Sequence, residues 1–412
     1  MAWAEDWPGW RGPHRNGVVG EPSGWQGGDW PAGGLLWQGQ VGMGASSPLV
    51  VGKQVLVLGW NEGADTLSAL DAATGEALWR QTYPSPQYGR HAVGDEGLYA
   101  GPTSTPEYDA QTGYVYTLSV DGELRCWNCR RRGRLVWRRN LYEAYGMPQR
   151  PRIGRSGQRD YGYTTSPLVH GDWLIVEVGG SEGTLMAFDK RTGDARWGSA
   201  CRDPAGHTGG PVPITVEGIP CVCVLSLFHL VVVRLDAGHE GQTLAEYEWF
   251  TDFANSIATP AVEGSDVLVT SGYNHETICR LHITPQGVEK VWEAPYHSKI
   301  CSPVIYQGHV YWAWRSVYCL DFATGALRWQ GGAFGDAGSC LLTADERLIV
   351  LADQGELYLL ETHVRRPDQY TELARLAAMF DNDAWPHLVL SGGRLYCKDR
   401  MGHLMVYSVM PP

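Results

Sequence analysis

Three twelve-residue segments of this chain are versions of one another: SALDAATGEALW at 68–79, MAFDKRTGDARW at 186–197 and YCLDFATGALRW at 318–329. Each runs from a short apolar strand through Asp, a two-residue gap and Thr-Gly to a Trp four residues after the Gly. In such a hairpin the Asp side chain accepts backbone N–H groups, the Gly supplies a positive φ, and the Trp begins the return strand. Degenerate copies end at Trp137, Trp249 and Trp292. Upstream lies a second signature, Ser/Thr-Pro followed by a short turn and an alternating apolar run, at 46–59, 165–179, 258–272 and 301–314. A repeat of roughly 40–50 residues with four strands per unit is the pattern of a β-propeller.

Seven units begin near Ser46, Ser104, Thr165, Gly209, Ala258, Cys301 and Ser339. An eighth is half visible at 386–409, with three strands and no terminal Trp. The fold expected is therefore all-β: an eight-bladed propeller of four-stranded antiparallel blades spanning 35–412. The segment LLWQGQVG (35–42) supplies the strand missing from the last blade, which closes the ring and removes both sheet edges. Residues 1–34 are expected to form an irregular arm, rich in Trp, Gly and Pro, lying across the ring. The 52 glycines and 24 prolines suit many turns, and 18 tryptophans against 7 phenylalanines suit a unit that places an indole repeatedly. The longest apolar run, 221–233, is far short of the roughly 20 residues a membrane span needs. The opening MAWAEDWPGW has neither a basic nor an apolar signal region, so no signal peptide is expected, although Ala2-Trp3-Ala4 is similar to the end of a cleavage site.

These signatures resemble the pyrroloquinoline-quinone (PQQ)-type propeller repeat shared by quinoprotein dehydrogenases and the outer-membrane assembly protein BamB. The opening DWPGWRGPHRNGV (6–18), with GPTSTP (101–106) and YTTSPLV (163–169), resembles a bacterial group of PQQ-like propellers frequent in planctomycetes. In quinoprotein alcohol dehydrogenases the resemblance implies a cofactor held between a Trp and a vicinal disulfide, with Ca²⁺ bound by Glu, Asn and Asp. This chain has no adjacent cysteine pair and no Gly-Ala-Glu-like segment where the metal-binding Glu is expected, and Cys129 is followed by Arg130 instead of a haem-attaching His. No catalytic residue carries over and no cofactor is expected; PQQ with Ca²⁺ belongs to the alternative in which the site has diverged. BamB-like members keep the repeat without the cofactor.

Loops on one face of a propeller are where ligands bind. The polar residues just ahead of the inner strands are Arg90, His91, Tyr161, Tyr163, His207, Asp252, Asn255, His297, Lys299 and Asp336. Asp381 and Asp383 flank Asn382 in a run of oxygen-bearing side chains that suits a hard cation, but the later Gly and Glu of a calcium loop are missing. Short polar residues also cap strands and turns, which accounts for most such positions. Cys126 and Cys129 are half of a zinc motif without a second half, and repeat alignment places them on a buried strand and in a turn.

Charge is distributed unevenly. The net charge is −12, yet 125–159 holds eleven arginines, no lysine and one acid, Glu143. Arginine forks bind carboxylates and phosphates in pairs of hydrogen bonds, so Arg130, Arg131, Arg132, Arg134, Arg152, Arg155 and Arg159 are the partner-facing candidates; a plain solvated face is the competing account. A chain of pI 5.5 argues against nucleic acid. The reading is a non-catalytic binding or scaffold module for a protein or other anionic macromolecule. The alternative is a quinoprotein oxidoreductase. A Met start favours the cytoplasm, and the resemblance favours the periplasm.

Overall fold

The Asp-x-x-Thr-Gly turns are hydrogen-bonded as their composition dictates. In the computed structural model, which describes residues 5–86, 100–146, 161–252 and 255–411, Asp71 Oδ1 accepts the N–H groups of Ala73 (2.8 Å) and Thr74 (3.0 Å). Gly75, at φ 76°, donates to the Asp71 carbonyl (2.8 Å). Asp189 with Gly193 and Asp321 with Gly325 repeat the arrangement. Each turn joins the third and fourth strands of an antiparallel sheet. Eight such sheets form the ring: blades 1 to 7 at 49–84, 107–140, 168–198, 212–248, 261–294, 304–335 and 339–376, and blade 8 at 389–408. In blade 6 the second and third strands form one element, His309–Asp321, which turns at Arg315 (φ 57°) before pairing with the outer strand. The described residues include a single short α-helix, Leu141–Tyr145, and no helix long and apolar enough to cross a membrane.

Blade 8 is completed by the strand Gly34–Gln40, which pairs antiparallel with His403–Ser408. This matches the expected closure within two residues. Every outer strand carries a one-residue bulge beside its Trp position. Trp79 faces Ala69 while Ala77 faces Leu70, and Trp37 faces Val406 while Leu35 faces Tyr407. The residue skipped at the bulge is pushed outward, which leaves Leu36, Leu78, Val136 and Val291 exposed. The register also corrects one alignment. In blade 4 the Trp position is held by Ala245, opposite Val232; Trp249 lies beyond the strand and packs on His275 instead. A long turn, 235–242, shifts the apparent repeat there.

The Ser/Thr of the Ser/Thr-Pro signature links blades near the axis. Ser47 Oγ accepts from His387 N, Thr105 Oγ1 from Ser47 N, and Ser166 Oγ from Thr105 N. Thr259 Oγ1 accepts from Gly209 N, and Ser302 Oγ from Thr259 N. Backbone N–H groups that no sheet can reach are thereby satisfied by the neighbouring blade, as burial requires.

The N-terminal arm does not lie across the ring; it enters the central channel and touches all eight blades. Trp7 exchanges backbone hydrogen bonds with Val50 in blade 1, Pro8 accepts from Tyr108 in blade 2, and Val19 and Gly17 bond Leu342 in blade 7. Arg15 bonds the Pro167 carbonyl at the entry to blade 3, Arg11 the Pro303 carbonyl at the entry to blade 6, and the Glu5 carbonyl accepts from Ser391 in blade 8. Trp10 packs on Gly209 ahead of blade 4 and donates to Thr259 Oγ1 ahead of blade 5 (3.0 Å). The opening motif thus serves as a plug.

Candidate functional site: the axial cavity and the basic rim

Above the plug, on the face that collects the loops ahead of the inner strands, is a cavity of about 290 Å³. Trp10 forms part of its floor, and Tyr161, His207, Asn255 and Lys299 line it, four residues that the strand-start rule had singled out. Tyr161 meets His207 edge to face at 5.2 Å. Lys299 pairs with Asp336 (2.9 Å), and its ammonium lies 5.8 Å from the Tyr273 ring and 5.5 Å from the Trp314 ring. Arg400 stacks over Trp385 at 4.6 Å and bonds Asp383 through Nε (2.9 Å). The hydroxyls of Thr164 and Thr208, both lining residues and both buried, have no hydrogen-bond partner among the described residues.

Other expected residues fall elsewhere. Tyr163 points into the core, where its hydroxyl donates to the Val178 carbonyl (3.1 Å). His297 packs beside Trp314 outside the cavity lining, and burial lowers its pKa. Asp252 accepts from Asn274 Nδ2 (2.9 Å). Asp381 is exposed and Asp383 is engaged by Arg400, and no group of three His, Cys, Asp or Glu side chains converges as a metal site among the described residues. Arg90, His91, Arg152, Arg155 and Arg159 lie outside the described residues.

Sequence reasoning missed Trp10, Tyr273, Trp385 and Arg400. Trp385 sits directly ahead of an inner strand, so the same rule finds it. Tyr273 and Arg400 lie on connections between second and third strands, which alternate onto the same face as the loops preceding each blade. Trp10 has no local signal, because its place depends on the insertion of the arm.

Below the cavity floor, Arg15 and Glu107 form a buried pair at 2.9 Å. Burial drives both toward neutrality, with Glu107 raised to about 7 against the opposing pull of Arg15. Their role is to fix the plug.

The basic rim lies on the outside of blade 2. Arg125 and Arg139 are structural: Arg125 pairs with Glu123 and lies 4.0 Å over the Tyr83 ring, and Arg139 bonds the Gly193 carbonyl. Arg130, Arg131, Arg132, Arg134 and Arg138 are exposed and have no ion pair among the described residues. Arg132 reaches the Leu78 carbonyl of blade 1 (3.0 Å), which joins the two blades into one surface. Leu78, Leu135 and Val136 are exposed within it.

Eight closed blades, an arm in the channel and an axial cavity define an eight-bladed β-propeller with a plugged channel. The chain belongs to the family described as outer membrane protein assembly factor BamB, whose model matches residues 28–330. A stretch of 156 residues is 30% identical to the alcohol dehydrogenase (quinone), dehydrogenase subunit, of Gluconobacter oxydans; it covers 37% of this chain and only 18% of that protein. The fold is similar to BamB from Moraxella catarrhalis (TM-score 0.62, 13% identity, covering 91% of this chain and 99% of that one). It is equally similar to quinohemoprotein alcohol dehydrogenase from Comamonas testosteroni (TM-score 0.63, 14% identity, covering 99% and 81%).

Proposed function

We propose that this chain is a non-catalytic binding module that engages an acidic protein partner through the outer rim of blades 1 and 2. The observation that carries this is the cluster of Arg130, Arg131, Arg132, Arg134 and Arg138, unpaired among the described residues and interleaved with exposed Leu78, Leu135 and Val136. Arginines and apolar side chains together suit an interface, where guanidinium forks meet carboxylates beside a desolvated centre. The BamB family membership supports a protein as the partner, and the kinship with planctomycete-type propellers drawn from the opening motif is part of the same proposal. Replacing the five arginines by Ala should weaken partner recovery most at low salt, since exposed charges are screened within about 8 Å at physiological ionic strength. Each replacement should change stability by no more than about 0.5 kcal/mol. Equal recovery of every partner by both proteins at both salt concentrations would end this reading.

A second reading, a quinone cofactor in the axial cavity, is favoured by Lys299, Arg400 and the Thr164 and Thr208 hydroxyls. These suit a flat, anionic molecule among aromatic rings. Calcium needs several oxygen ligands, and no carboxylate lines the cavity among the described residues, so the lining fits the anion and not its metal. Titration with PQQ, with and without Ca²⁺, read by absorbance, separates the two.

A further inference from the structure

Ten cysteines are distributed over this propeller, and nine of them are buried. Among the described residues one pair of thiols is in contact: Cys301, just ahead of the inner strand of blade 6, and Cys340, in the inner strand of blade 7, with sulfurs 3.6 Å apart. Neither is more than 1% exposed. The plug covers them: a Cβ on Gly17 would lie 3.4 Å from the Cys340 carbonyl and 3.3 Å from the Arg11 guanidinium.

We propose that Cys301 and Cys340 form a disulfide across the seam between blades 6 and 7 when the chain meets a low-molecular-weight disulfide such as oxidised glutathione. The Cys301 thiolate attacks one glutathione sulfur, breaks the S–S bond and releases one glutathione thiolate. Cys340 then gives up its proton and attacks the Cys301 sulfur, expelling the second glutathione. Two protein thiols are oxidised, one glutathione disulfide is reduced, and the two released thiolates take up the two protons. The order follows from the surroundings. Burial opposes the thiolate at both sites, but the hydrogen bond shared between the two thiols, with help from Arg11, holds Cys301 below the ordinary thiol range and leaves Cys340 well above it.

Closing the pair from 3.6 Å to a bond of about 2.05 Å brings the two sulfurs about 1.5 Å closer, by side-chain rotation or by an approach of the two blades at this seam. The seam runs directly beneath the cavity: Lys299, Ile300 and Gly338 line that cavity within two residues of the cysteines, and the Lys299–Asp336 ion pair spans the same two blades. Because the sulfurs are covered, exchange requires the arm to open locally, so the reaction is slow in the closed protein and fast once the arm is loosened.

The full chain is incubated with oxidised glutathione at a urea concentration below the unfolding transition, then denatured, alkylated, digested and mapped by mass spectrometry. The expected result is one cross-linked pair of peptides carrying Cys301 and Cys340 and eight alkylated cysteines. A melting point a few degrees above that of the reduced protein should accompany it, reversed by dithiothreitol. C301A and C340A should each abolish the cross-link and leave the other cysteine alkylated or glutathionylated. Recovery of both cysteines as free thiols from the oxidised wild type overturns the proposal, and so does a spread of disulfides over other pairs. The wild-type comparison decides the question even where a variant folds poorly.

Discussion

Trp37, on the strand that closes the ring, donates its indole N–H to the carbonyl of Ala72 in blade 1 at 3.1 Å. Trp137 does the same to Lys190 and Trp292 to Phe322, each the residue after the Asp of the next blade's turn. Trp79, Trp197 and Trp329 face turns that have lost the Asp-x-x-Thr-Gly pattern, and their indole N–H groups have no partner among the described residues. The intact turn is therefore a receptor for the previous blade's tryptophan. Trp37 and Trp79 are 8% and 7% exposed, a matched pair. W37F and W79F remove the same volume, but only W37F strands a carbonyl. Urea denaturation should show W37F about 1 kcal/mol more costly. Equal losses would refute the receptor role.

The glycine of that turn is fixed by the same contact. A Cβ on Gly75 would sit 2.5 Å from the Trp37 ring, whereas one on Gly171 meets nothing within 4 Å, and both residues have positive φ. G75A and G171A share the backbone strain, so the difference reports the indole alone. G75A should lose about 1–3 kcal/mol more in the same urea titration, the usual cost of overpacking. A difference near zero would mean that the ring of Trp37 moves aside freely.

The ring was legible because its determinants are local: an Asx turn, a left-handed Gly and a Ser/Thr-Pro step each write themselves into a few adjacent residues. Trp249 misled because the turn before it is long, and only strand register shows Ala245 in the Trp position. The site was half legible. Tyr161, His207, Asn255 and Lys299 announce themselves by preceding inner strands, but Trp10 reaches the cavity through a channel that exists only once all eight blades have closed. The same nonlocality hid the pairing of Cys301 with Cys340, which are neighbours in space because adjacent blades bring equivalent strands together.

Arm and closing strand make separable contributions. Deleting residues 1–33 removes the plug with buried Trp7, Arg11 and Arg15 but leaves Gly34–Gln40 in blade 8. Deleting 1–42 also opens the ring and empties the Trp37 pocket, and loss of one buried Trp alone costs about 3–5 kcal/mol. Thermal midpoints should fall in the order full chain, shorter deletion, longer deletion, with the longer deletion also losing solubility through its exposed edges. Equal midpoints for the two deletions would show that the closing strand contributes nothing once the plug is gone.

His387 gives the plug a pH dependence. Its ring lies between Trp7 (5.8 Å) and Trp10 (5.6 Å), and its Nδ1–H donates to the Leu388 carbonyl (2.7 Å). Burial, reinforced by the charge of Arg11, lowers its pKa to about 3 from an ordinary value of 6.5. Between those values the unfolded chain binds a proton that the folded chain refuses, so stability rises with pH across this window and is lost as pH falls from about 6.5 toward 3. The slope for one such group is at most about 1.4 kcal/mol per pH unit. H387Q cannot titrate, so its stability should fall less steeply than that of the wild type between pH 6.5 and 4. Urea titrations of both proteins at half-unit steps measure the difference, and parallel curves would show that protonation of His387 does not loosen the arm.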